Sequence, residues 1–166
     1  SLLGEGIDPK KLMDHLSVDV EDARLLIANS FWAQEGFPLK EEFIQNLKDK
    51  FYATGQEVNL GTQEGMDQIS SWIDENTMGK IKPQFEPNED YRLFLVNTLY
   101  LKSAWQKAFD QSNTKEDTFY GSEESTIPFM SLANESGMFF QHQQFKMATK
   151  TLSQGMSMLF VLPEEN

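Results

Sequence analysis

The 166-residue chain has no cysteine and only two histidines. Without cysteine there is no disulfide framework and no thiolate zinc site. His15 and His142 stand far apart and lack metal-ligand spacing, so no metal or other cofactor is expected. No run of about 18 apolar residues exists, which leaves nothing to cross a membrane as a helix. Basic residues are scarce too: 14 against 26 acidic ones, a net charge of −12. A nucleic-acid surface needs the opposite balance, so no nucleic-acid partner is expected.

The signatures of catalysis are also missing. There is no GxSxG elbow, no HExxH and no phosphate-binding loop. The one glycine-rich piece, LGTQEG (60–65), lacks the lysine such a loop requires. The carboxylate pairs at 41–42, 123–124 and 164–165 lie in charged, solvated settings, not in apolar ones that would retune them for acid–base work. An enzyme is not expected. The start SLLGEGIDPKK has no initiating methionine and reads as an internal cut, not a signal peptide. Asn134 opens an N-x-S sequon, which matters only in a secreted eukaryotic protein.

What is present is a chain able to fill a core, 39% hydrophobic and 12% aromatic. Ile7 to Leu16 reads as a short helix, capped by Asp8 with Pro9 in the first turn. In Ala23–Gln34 the alternation Leu25, Ile27, Asn29, Phe31 favours a strand. Pro38 is expected to open an amphipathic helix in which Leu39, Phe43, Leu47 and Phe51 recur every four residues. Gln56–Leu60 is a short strand candidate. A second helix is expected from Thr62 to Met78, with Met66, Ile69, Trp72 and Ile73 on one face and Gly79 as its left-handed stop.

After a two-proline loop comes LFLVNTLYLKSAW (93–105). Leu93, Leu95, Asn97, Leu99 and Leu101 point one way; Phe94, Val96, Thr98 and Tyr100 point the other. Both faces are apolar, so the strand is expected to be covered on both sides. Beyond Trp105 the pattern turns β. Two strands flank Gly121, and Gly137–Gln143, Phe145–Leu152 and Met156–Leu162 read as three more. Helices first and antiparallel strands later make the class α+β.

These stretches carry a family resemblance. LVNTLYLKSAWQKAFD resembles the serpin pattern LVNA-(I/L)-Y-F-K-G-x-W-x-x-x-F. NTKEDTFY and TIPFM follow in the family's order. Upstream, ANSFWAQEGFPLKEEF and ISSWIDENTMGKIK resemble its AN-x-x-(F/W)-x-Q-x-G-F and INxWVxxxTxGKI segments. GMFFQHQQ and MSMLFVLPEEN are similar to its later strands. Leu101 and Ser103 depart mildly, standing where the family usually has Phe and Gly.

The resemblance implies that residues 1–166 form a partial serpin domain. It would hold sheet A strands with helices E and F, then antiparallel strands of sheets C and B. It also implies protease inhibition: a bait loop is cut, then inserts into sheet A while the protease is still acyl-linked. The target would be a serine or cysteine protease. Asn97 then matches the family's shutter position, and Trp105 its breach tryptophan. Trp72 and Ile73 would pack helix F across the sheet. Without the resemblance, Asn97 reads as a fold-specifying amide and the tryptophans as core. No Gly-Thr-Glu-Ala-Ala-like hinge run and no reactive loop occur in these 166 residues, so the chain alone is expected to be inactive. The strand holding Asn97, which the family calls 3A, would keep an open edge that invites a second copy or a complementing chain. Lys10 and Lys11 beside Asp8 and Asp14 make no basic patch, so no heparin partner is expected. The resemblance favours an extracellular setting. The alternative is a non-inhibitory carrier or chaperone-like binding module.

Overall fold

The computed structural model describes residues 8–133 and 137–164. Ile7, the Asn134 sequon and the last two residues lie outside them. The chain divides into two compact units, residues 1–102 and 103–166.

The first unit is built around one long strand. Helix α1 (Pro9–Leu16) starts where the Asp8 side chain accepts from the Lys10 backbone N–H at 3.0 Å. Strand β1 (Val18–Val20) turns back antiparallel onto β2 (Ala23–Gln34). Helix α2 (Glu41–Phe51) leads to β3 (Thr54–Val58), which runs parallel to β2. Helix α3 (Gln63–Asn76) follows, and β4 (Leu93–Ser103) pairs with β2.

Local chemistry explains most of these boundaries. Thr62 caps α3 by accepting from the Gly65 N–H, and Met78 and Gly79 leave the helix in left-handed conformations. Helix α2 begins at Glu41, three residues after Pro38. Glu41 and Glu42 in its first turn complement the helix dipole, although Lys40 at the cap makes no side-chain bond. Strand β3 lies two residues earlier than its apolar pattern suggests. Gly55 pairs with Phe31, and a Cβ on Gly55 would overlap the Phe31 ring, so glycine is what admits the aromatic there. Leu60 has left the strand, and its N–H donates instead to Gln34 Oε1 at 2.8 Å.

The core sits between the sheet and α3. Trp32 and Val58 from the strands meet Leu60 and the α3 residues Met66, Ile69 and Ile73; Phe94 and Val96 of β4 pack against them. The expectation that β4 is covered on both faces is corrected here. Thr98 is buried and Phe94 and Val96 are partly so, but Leu95 is 60% exposed and Leu99 58%. Helix α3 and its neighbours cover the Thr98 face, while on the other face Leu47 and Phe51 of α2 border Leu95 only across an open groove.

The second unit is β-rich. A hairpin of β5 (Lys115–Tyr120) and β6 (Glu124–Phe129) turns through Gly121. A three-stranded antiparallel sheet runs β7 (Phe139–Gln141), β8 (Phe145–Thr151), β9 (Ser157–Pro163). Every residue of β9 is exposed although its sequence is SMLFVLP.

Truncating a fully buried core residue removes transfer energy and leaves a cavity. Met66→Ala should therefore destabilise the 166-residue chain by about 2–5 kcal/mol. Leu95→Ala, on the open face, should stay within about 0.5 kcal/mol. Denaturant titration of both variants tests this reading of the two faces.

Candidate functional site

Asn97 lies at the middle of β4. Its Nδ2 donates to Asn29 Oδ1 at 2.8 Å, and a longer contact reaches the Ala28 carbonyl at 3.5 Å. Asn29 stands on β2, so the two amides bridge neighbouring strands side chain to side chain. Asn29 Nδ2 in turn donates to the Phe51 carbonyl at 2.8 Å. Phe51 is the last residue of α2, and a terminal helix carbonyl has no partner within its own helix. Asn29 supplies one.

The next residue, Tyr52, is left-handed at φ 52°. The Ala53 N–H reaches back to the Leu47 carbonyl at 3.1 Å, which closes a Schellman-type end. A side chain in that conformation costs about 1–2 kcal/mol. Tyr52 uses its side chain in return: its hydroxyl donates to the Asp14 carboxylate at 2.9 Å, and Lys10 Nζ lies 4.6 Å from its ring centre. Desolvation, and then the Asp14 hydrogen bond with the charges of Asp14 and Asp8, hold the Tyr52 phenol above its ordinary pKa. A shallow groove of about 210 Å³ runs beside the amide pair, walled by Leu47, Phe51, Ala53 and Leu95.

Trp72 and Ile73 share the last turns of α3. Ile73 is a core member, and Trp72 packs against the core's edge, half-buried. Both also serve the plain structural role their spacing suggests.

Trp105 belongs to the second unit. It forms an isolated antiparallel bridge with Leu152 and meets Phe109 edge to face at 6.0 Å. Lys150, only 7% exposed, places its ammonium 4.6 Å from the Phe109 ring centre and 5.3 Å from that of Trp105. The same Nζ donates to the Lys107 carbonyl at 3.1 Å. A buried ammonium needs such partners, because its desolvation is costly.

Sequence reasoning missed Asn29 and Lys150. Asn29 did carry a signal: it is the polar member of an apolar alternation on β2, as Asn97 is on β4. Lys150 had none, since a lysine in a short strand ordinarily faces water.

Among the described residues, no cluster of histidine, aspartate and glutamate could hold a metal. No helix among them is long and apolar enough to cross a membrane. The Asn29–Asn97 pair is a side-chain hydrogen bond between neighbouring strands of one sheet.

Comparisons with known proteins bear on the family and the fold. The family model described as Serpin (serine protease inhibitor) matches residues 7–166. A serpin-like protein of Methanosarcina mazei is 28% identical over 95% of this chain and 38% of its own length. Iripin-8 of Ixodes ricinus is 35% identical over 67% of the chain and 29% of its own length. The thermophilic serpin tengpin, in its native state, superposes with a TM-score of 0.84 at 21% identity, covering 95% of this chain and 41% of that structure. The chain thus spans well under half the length of these relatives.

Replacing Lys150 by methionine keeps much of the volume and removes the charge. Lys150→Met should cost about 1–3 kcal/mol, from the lost bond to the Lys107 carbonyl and the lost ring contacts. Lys146→Met, which breaks the half-exposed 3.1 Å ion pair with Glu164, should cost less than about 1 kcal/mol. Thermal denaturation of both tests whether the Trp105 cluster is held through Lys150.

Proposed function

The chain belongs to the serpin family, and from that premise we propose that it is a segment of an inhibitor of serine-type endopeptidases that works by inserting its cleaved bait loop into a sheet. The observation that carries this reading is β4, which pairs only with β2 among the described residues and holds Asn97 at its middle. The sheet would open along the free edge of β4, and the cut loop would enter as a new strand. Residues 1–166 are then one partial serpin domain, with helix α3 packed across sheet A through Ile73 and Trp72.

In this reading the protease serine attacks a carbonyl of the bait loop; the C–N bond breaks, the amine leaves with the proton taken from the serine, and an ester joins the loop to the protease. The new strand inserts before water can hydrolyse that ester. Nothing in this chain takes part in the bond chemistry; its task is to accept a strand. Asn97 and Trp105 are the residues proposed for that task, Asn97 at the shutter and Trp105 at the entrance. Asn97 is exposed here and bonded to Asn29; if insertion buries it, the amide needs a partner in the new sheet as well, because one left unpaired costs about 1–3 kcal/mol.

The test is a gel assay of the full-length protein against a panel of serine and cysteine proteases. A complex that survives SDS, at the summed mass of protease and inhibitor, is the expected result. Cleavage without such a complex, or no reaction with any protease, would overturn the inhibitory reading and leave the carrier or binding-module alternative. The 166-residue chain tested alone should form no complex.

The free edge has a second consequence. At micromolar concentration the isolated chain should elute from size exclusion as a dimer or larger, through β4. Leu95→Lys with Leu99→Lys should shift it to monomer. A wild-type monomer would remove the proposed self-association.

A further inference from the structure

The side chain of Asn29 has one acceptor oxygen and two donor hydrogens, and it spends them on three different elements. Oδ1 accepts from Asn97 on β4 at 2.8 Å. Nδ2 donates to the Phe51 carbonyl at the end of α2 at 2.8 Å and contacts Met13 Sδ on α1 at 3.5 Å. The orientation is dictated by chemistry. A backbone carbonyl only accepts, so the end of Asn29 that faces Phe51 must be the NH2 group. Its oxygen then faces Asn97, which must in turn present its own NH2.

The turn that Asn29 caps is itself tied to α1. Tyr52, the residue after Phe51, donates to Asp14 at 2.9 Å, and Lys10 lies over its ring. Strand β4, the end of α2 and α1 are thus joined through one amide and one phenol. If Asn97 withdraws its donor, the Asn29 oxygen loses its partner. Rotation of the amide to find another removes the donor from Phe51.

We propose that Asn29 is a positioning residue that couples the middle of β4 to the corner formed by α1 and the last turn of α2. A movement of the strand at Asn97 is felt at Phe51 and Tyr52, and a change at that corner is felt at Asn97 in equal measure, as linkage requires. The functional meaning of this coupling rests on β4 being the strand beside which the sheet opens. The coupling itself can be read without any protease.

Hydrogen exchange of the full-length protein tests it. Asn97→Ala should speed exchange of the backbone amides at the end of α2, Ala53 above all, by about fivefold or more, the lower bound of a typical coupling. Asn29→Asp keeps the acceptor for Asn97 but loses the donors, and should speed the same amides. The double variant should add less than about twofold to either single one. No change in the α2 amides of Asn97→Ala, or a double variant equal to the product of the singles, overturns the coupling. A merely structural asparagine would give that product. If Asn29→Asp does not fold, Asn97→Ala and Asn97→Asp against the wild type carry the test, since both remove the donor from across the sheet. The protease gel assay, run on the same proteins, separates the two ideas. Coupled exchange without a complex sinks the inhibitory reading alone, and a complex without coupled exchange sinks the coupling alone.

Discussion

Phe31 and Trp32 are neighbours on β2 and, by the alternation of a strand, face opposite sides of the sheet. Both are buried, at 5% and 3% exposure, and the first unit depends on this. Trp32 anchors the core that α3 closes, while the Phe31 ring lies on Gly55 of the parallel partner strand. Burying side chains of this size is worth roughly 1.5–3 kcal/mol each, well above any single surface contact. Strands β1, β3 and β4 all pair with β2, so a slip of one residue there would turn every one of these side chains to the wrong face.

That constraint explains why the amides sit where they do. Asn29 lies two residues before Phe31, on the same face, and the pairing of β4 with β2 brings Asn97 within hydrogen-bond reach of it. A polar residue among apolar neighbours is tolerated when its bonds are met, and Asn29 meets its own by completing a helix end that would otherwise lack a partner. The helix end, in turn, needs its left-handed turn at Tyr52, whose strain is offset by the contact with Asp14. Each of these residues looks unfavourable alone. Together they remove one another's defects, which is why local propensity does not report them.

Much of the architecture was legible because its signals are periodic. The four-residue recurrence of α2, the Met66–Ile69–Ile73 stripe of α3, and the limits of β2 follow from apolar spacing, and the start of α1 from its Asp8 cap. Boundaries that rest on tertiary contacts were not legible. Strand β3 starts at Thr54 because Gly55 accepts the Phe31 ring, a fact that no window around residues 54–58 contains. The open face of β4 is not legible for a related reason: apolar residues such as Leu95 and Leu99 mark a face that could be covered, not whether a neighbour covers it. Asn97 stood out as an amide in an apolar strand. Asn29 carries the same mark less visibly, because its strand alternates and one polar member fits an alternation.

The edge of β4 differs from ordinary edge strands. Edges that must stay unpaired are commonly blunted with lysine, proline or a bulge. Over its eleven residues β4 carries one lysine, Lys102, at the end of the strand, and no proline. Leu95, Leu99 and Leu101 lie open on one face beside that edge. In a protein that needed only to stay soluble, such a strand would be a liability, and the net charge of −12 would be a weak remedy for it. The liability makes sense if the edge is kept receptive because another strand has to join it. The same lack of protection that lets an incoming strand pair also lets a second copy pair. Selectivity must then come from how readily β4 yields. In that reading the amide pair bears on that property, since among the described residues the side-chain bonds of Asn97 reach only β2.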